Sequence, residues 1–264
     1  MKVSISRIKT FKACRRAYYL KYVEELTPVD TAETLATGKK YHEMIEAFHK
    51  GETVEPEFTK EYAMFQAYRT FLAPFIPEDM ESEVDFSIGV GDDEFIGRAD
   101  GYCPRSKTII EHKTVSAELT DEYEYDLQWD EQILAYMLAF ASLSMIYTVV
   151  RKPTIRQKKD ESDEDYFHRM EAWYHEDTPS KVRVFMVERT EEEVAEFSKE
   201  LSNIITTIKC AEANEEFYKN TLHCFRWGRR CEYAPVCLHY DKDAEYIEFR
   251  KGDRYGTGTE ENNE

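Results

Sequence analysis

Apolar positions near the start of the chain recur at Ile5, Ile8, Phe11, Tyr18, Tyr19 and Tyr22, with Ser4 or Ser6 as an N-cap, and predict a helix over 4–23. A second helix is predicted over about 33–50, with Tyr41, Met44, Ile45 and Phe48 on one side, and a third over about 57–76, stopped by Pro77. The period then changes. "EVDFSIGV" and "EFIGRAD" have strand character and are joined by the acidic turn "GDDE", and "TIIEHKT" follows the turn "CPRSK" as a third strand. A long helix is predicted over 121–143, then a strand at "MIYTVV" and a charged excursion over 151–179 in which "DYFHRMEAWYH" has helical spacing. The strand "KVRVFMVER" and a helix over 190–213 follow. No internal repeat and no Pro/Gly-rich linker interrupts the pattern, which implies an α/β fold built around one mixed sheet.

At 264 residues, 42% hydrophobic and 14% aromatic, the chain can bury a sizeable core and is too apolar for disorder. Its opening, "MKVSISRIKTFKACRRAYYL", lacks the apolar core of a signal peptide, which sets the expectation of a cytoplasmic protein with no membrane partner. The formal charge of −18 argues against a simple basic nucleic-acid binder. Part of that charge is local, in "DESDED" (160–165) and the tail "GTGTEENNE". A site built of carboxylates also adds negative charge that divalent ions offset.

Asp100, Glu111 eleven positions later and Lys113 two further on change the picture most. Glu111 and Lys113 project from one face of their strand, and a hairpin brings Asp100 alongside Glu111. Paired carboxylates repel unless a cation sits between them, and Mg²⁺ suits such oxygen ligands. A neighbouring lysine stabilises charge developing on a phosphate, so the trio fits metal-assisted hydrolysis of a phosphodiester. With 53 acids and 19 lysines in the chain, roughly four acid-x-Lys triplets are expected by chance. Only this one occurs, in an apolar strand. His42 in "TGKKYHEMIEAF" and the pair Gln132 and Tyr136, one turn apart in "DLQWDEQILAYMLAF", are unremarkable when taken singly.

In order, Gly38-x-x-x-His42, Gly97-x-x-Asp100, Glu111-x-Lys113 and Gln132-x-x-x-Tyr136, after the opening "SISRIKTFKACRRAYYLKYV", resemble the RecB-like branch of the PD-(D/E)XK nucleases. That branch includes the CRISPR-associated and phage-encoded iron–sulfur exonucleases. The resemblance covers most of 4–237, with 151–210 weakly matched. It implies a restriction-endonuclease-like mixed sheet flanked by helices and a Mg²⁺- or Mn²⁺-dependent DNA nuclease, an exonuclease acting on free ends. Asp100 and Glu111 would bind metal with the carbonyl of His112, and His42 would add a further ligand. Lys113 would be the catalytic lysine, and Gln132 and Tyr136 would position the site. Glu83 is a further carboxylate candidate, and Gln128 competes with Gln132 but lacks the tyrosine four residues on. A non-catalytic DNA-binding or adaptor module is the alternative. The resemblance leaves room for a homo-oligomer or a recombination- or CRISPR-type protein partner.

"CFRWGRRCEYAPVC" crowds Cys224, Cys231 and Cys237 into one segment, which suggests a metal site short of one ligand, with Cys14 as the candidate fourth. Cys103 and Cys210 are expected to stay unligated. From the residues alone, zinc fits as well as iron–sulfur. The resemblance implies a [4Fe–4S] cluster joining N- and C-terminal segments, although the spacing here is C-x6-C-x5-C where the family pattern is C-x2-C-x5-C. Gly228 stands where that pattern has a cysteine, which leaves Cys224 the weakest of the four. Arg226, Arg229, Arg230 and "RKPTIRQKK" are candidate phosphate contacts. The expectation is one nuclease domain over 1–250, with 1–30 and 210–240 forming the cluster lobe, and an acidic disordered tail over 251–264.

Overall fold

The computed structural model describes residues 1–28, 33–226, 228–239 and 249–251, so the tail from 252 on lies outside the described residues. After a short strand, β1 (Lys2–Val3), helix α1 (Ile5–Ala13) begins where the Ser4 side chain accepts from the Arg7 amide. The predicted single helix over 4–23 is broken at Cys14, whose extended backbone (φ −163°, ψ 116°) ends α1 and precedes α2 (Arg15–Tyr18). A π-helical turn (Tyr19–Val23) and β2 (Leu26–Pro28) follow. Next come α3 (Glu33–His49), α4 (Lys60–Phe71), β3 (Glu81–Val90), β4 (Asp93–Cys103) and β5 (Thr108–Val115).

The long helix predicted over 121–143 is also divided, into α5 (Asp121–Asp126), a 3-10 turn (Leu127–Trp129) and α6 (Glu131–Phe140). Asp130 makes the break, because its side chain accepts from the Gln132 amide and caps α6. β6 (Ser144–Arg151), α7 (Asp163–Glu176), β7 (Val182–Glu188) and α8 (Glu191–Ala213) match the predicted elements closely. β8 (Phe225–Arg226), β9 (Arg229–Arg230), α9 (Ala234–His239) and β10 (Phe249–Lys251) complete the described chain. Among the described residues no helix is long and apolar enough to cross a membrane.

The chain divides into two compact units, one of Met1–Thr31, Val90–Asp93 and Leu201–Glu264, the other of Ala32–Gly89 and Glu94–Glu200. In the larger unit β3 pairs with β4, and the sheet continues β4-β5-β6-β7. β4 is antiparallel to β5 and β7 to β6, whereas β5 and β6 are parallel. A parallel pair needs a crossover, and α5 and α6 supply it. The sheet is therefore mixed and helix-flanked, as expected from the sequence. β5 is central and buried over its first five residues. Tyr41, Met44 and Ile45 of α3 pack with Phe65 and Tyr68 of α4 and Phe167 and Met170 of α7 in one core. Cys103, expected in a turn, closes β4 inside that core.

In the smaller unit Cys14, Ala17, Leu20, Leu26, Tyr233 and Cys237 form the core. Tyr233 donates to the Leu26 carbonyl at 3.0 Å, and β10 pairs with β2. Gly228 lies between the paired strands β8 and β9 with φ +72°, the left-handed bend that glycine adopts without a steric cost.

Candidate active site and cysteine-lined cavity

The β4–β5 register, with Gly101 opposite Ile110, sets Asp100 beside Glu111. The backbone N–H of His112 donates to Asp100 Oδ2 at 2.7 Å, and His42 Nδ1, presented by α3, lies 3.3 Å from Asp100 Oδ1. Burial works against the Asp100 carboxylate, but His42 and the His112 amide outweigh it and hold its pKa below the ordinary value. Burial likewise opposes the charged His42, yet Asp100 raises its pKa above that of a free imidazole. Glu83 completes a group of three: one ligand atom each from His42, Glu83 and Asp100 lie within 4.8 Å of one another. Glu83 sits on β3 with φ +54°, a conformation that costs a side-chain-bearing residue about 1 kcal/mol or more.

Glu111 and Lys113 share a face of β5 and form an ion pair through Glu111 Oε1. Gln132 Nε2 donates to the same oxygen at 2.9 Å and to Tyr136 Oη at 3.0 Å, and Tyr136 donates to the Arg98 carbonyl at 2.8 Å. Gln132 Oε1 in turn accepts from Lys113 at 3.5 Å. The other oxygen of Glu111, Oε2, is buried and has no hydrogen-bond partner. Burial first, and the Asp100 charge second, push the Glu111 carboxyl up to about 7. Burial opposes the Lys113 charge, but Glu111 more than offsets it and keeps Lys113 cationic.

His112 is buried, and burial drives its pKa down to about 3, so its ring is neutral. Its Nδ1 lies 2.7 Å from Thr148 Oγ1, whose hydroxyl donates to the Glu111 carbonyl at 3.3 Å. Thr148 of β6 and Asp130 thus hold the β5 backbone and the start of α6 in place. Neither carries a sequence motif, although an aspartate directly before "EQILAYM" is a capping signal. Gln128, the competing glutamine, falls in the 3-10 turn before the Asp130 break.

In the smaller unit, Cys14, Cys224, Cys231 and Cys237 all line one small cavity of about 20 Å³. The Asn220 amide donates to Cys14 Sγ at 3.3 Å, and Cys224 Sγ donates to the Asn220 carbonyl at 3.8 Å. Burial pushes the Cys231 and Cys237 thiols up. Cys103 and Cys210 are elsewhere, one in the core of the larger unit and one exposed on α8.

These motifs on this sheet define a nuclease family. The chain belongs to the PD-(D/E)XK nuclease superfamily, whose family model matches residues 2–238. No curated protein matches the chain. Among solved structures, a candidate exonuclease from Eubacterium rectale is 12% identical with a TM-score of 0.54, covering 90% of this chain and 87% of its own. A phage-related exonuclease from Haemophilus somnus 129PT is 16% identical with a TM-score of 0.43, covering 81% and 96%. An alkaline exonuclease from Laribacter hongkongensis is 10% identical with a TM-score of 0.37, covering 81% and 91%.

Proposed function

We propose that this chain is a Mg²⁺- or Mn²⁺-dependent deoxyribonuclease that removes nucleotides from free DNA ends. The observation that carries the reading is the orphaned Glu111 Oε2, buried beside Asp100 and Lys113. Two close carboxylates and an unpartnered carboxylate oxygen are the arrangement that a divalent cation relieves. The donor set fits: Asp100, Glu111, Glu83 and the His112 carbonyl offer oxygen, which Mg²⁺ prefers, and His42 offers a nitrogen that Mn²⁺ also accepts. When bound, the ion offsets the carboxylate charge and holds a phosphate oxygen.

Lys113 presents a cation where charge develops on the phosphate. Gln132 fixes both Glu111 and Lys113, and Tyr136, itself anchored on Arg98, fixes Gln132. A non-catalytic DNA-binding module has no need of a lysine and a glutamate in contact at a buried site. Action at ends draws support from the candidate exonuclease that shares the fold. The test is cleavage of end-labelled linear and circular DNA with Mg²⁺, Mn²⁺ or chelator. Metal-dependent loss of linear DNA alone supports the reading, and equal cutting of circles replaces exonuclease by endonuclease.

The second half of the proposal is a structural [4Fe–4S] cluster in the cysteine cavity. Four thiols are the donor set of both zinc and iron–sulfur centres, and the Asn220 N–H already points at one sulfur. The layout of one early and three late cysteines resembles that of the iron–sulfur exonucleases, which favours that centre over zinc. A brown protein containing iron and sulfide supports the cluster, whereas a colourless zinc protein replaces it.

A further inference from the structure

The ring of His223 takes no part in the candidate nuclease site. His223 ends the 3-10 turn Thr221–His223, directly before Cys224, and lines the same cavity as the four cysteines. Its Nδ1 is buried and has no hydrogen-bond partner. The loop around it is otherwise well engaged. Asn220 Nδ2 donates to the Ala13 carbonyl at 2.8 Å, Asn220 Oδ1 accepts from Leu222 at 3.2 Å, and the Cys231 amide donates to the Cys224 carbonyl at 2.9 Å. A buried ring nitrogen left over in such a loop calls for a partner, and the residue that carries it lines the cysteine cavity.

We propose that His223 is a fifth group of this site, donating Nδ1–H to a sulfur of the metal centre that the four cysteines hold. The inference rests on the reading of those cysteines as a metal site. Four thiols fill the ligand complement of either zinc or a [4Fe–4S] centre, which leaves the imidazole for a hydrogen bond and not for ligation. Such outer contacts orient the ligands, strengthen the hold on the metal and set the potential of an iron–sulfur centre. His223 would then join the Asn220 amide, which makes the equivalent contact to Cys14. It is a positioning residue, acting through the sulfurs.

The experiment uses the full chain purified without oxygen as wild type, His223→Ala, His223→Asn and Cys231→Ala. Asparagine keeps an N–H close to the position of Nδ1. Metal and sulfide content, the rate of metal release to a chelator, the melting temperature and, if iron is present, the reduction potential are measured on each. The expected result is a full metal load in both His223 variants, with release about 10-fold faster or more from His223→Ala and nearly restored in His223→Asn. If iron is present, the potential of His223→Ala moves to a more negative value and His223→Asn recovers it. Release from His223→Ala at the wild-type rate overturns the inference and leaves the metal site standing. Equal acceleration in both variants assigns the ring to packing, and metal loss as complete as in Cys231→Ala makes it a ligand. Either result overturns the donor role. A wild type without metal removes the site itself, and the inference with it.

Discussion

Gln132 donates to one oxygen of Glu111 at 2.9 Å while the other oxygen of that carboxylate is buried with no partner. One carboxylate therefore has a satisfied side, facing Lys113 and α6, and an unsatisfied side. The first side orients the group. The second is free to take a cation without breaking anything already made.

Metal-free stability should carry the signature of Glu111. Its carboxyl, pushed up to about 7 from an ordinary 4.5, keeps a proton in the folded protein over a range where the unfolded chain has lost it. Folding stability then falls as pH rises across that window. Glu111→Gln removes the effect, so in chelator the variant should gain on wild type between pH 5 and pH 8. Denaturant unfolding at the two pH values checks this. A stability difference that does not change with pH contradicts a carboxyl titrating there.

His42→Ala and Glu83→Gln should each weaken metal binding and slow cleavage while leaving the fold intact. Mn²⁺ should support the wild type's nitrogen-containing ligand set better than Mg²⁺ does, and His42→Ala should narrow that preference. Calorimetric titration of both ions into wild type and variants measures it. A His42→Ala protein that melts early with metal affinity unchanged would make the histidine a packing residue.

Gly97 is part of the motif that leads to Asp100, and the structure gives it a packing reason. A Cβ there would meet the Phe86 ring at 2.4 Å. That ring cannot readily move, because it packs on Phe95, Tyr136 and Phe140 with centroids 5.5–5.6 Å away. Gly97→Ala should cost about 1–3 kcal/mol, the scale of forcing a methyl group into a filled contact. It should also disturb Tyr136 and lower activity further than the lost stability explains. Wild-type melting and wild-type activity together would contradict this.

Much of the site was legible because its residues obey short-range rules. Glu111 and Lys113 share a face by strand period, and Gln132 and Tyr136 by helix period. The helix break at Cys14 was not legible, since apolar spacing continues across it, and the capping signal of Asp130 was masked by the same continuity. At Asp130 a side-chain cap overrides the spacing, and at Cys14 the chain turns where the thiol enters the cysteine cavity. Thr148 was hidden for another reason. It reaches His112 through sheet pairing, a contact between positions far apart in the chain.

Cys14→Ser should act on stability before chemistry, because the proposed metal centre, linking Cys14 to the three late cysteines, would couple metal binding to folding. The variant should lose metal and melt at a lower temperature, with cleavage falling only in step with the folded fraction. Metal analysis and thermal melting decide it, and a Cys14→Ser protein with full metal and an unchanged melt would place the fourth ligand elsewhere.

The most direct test of the account is the rate of nucleotide release from end-labelled linear DNA at saturating Mn²⁺, wild type against Lys113→Ala, with melting and metal content measured on the same samples. The account predicts a loss of about 100-fold or more, the scale of removing a positioned charge, with melting temperature and cysteine-bound metal nearly unchanged. Cleavage by Lys113→Ala at the wild-type rate would contradict it, since the chemistry could not then belong to this site.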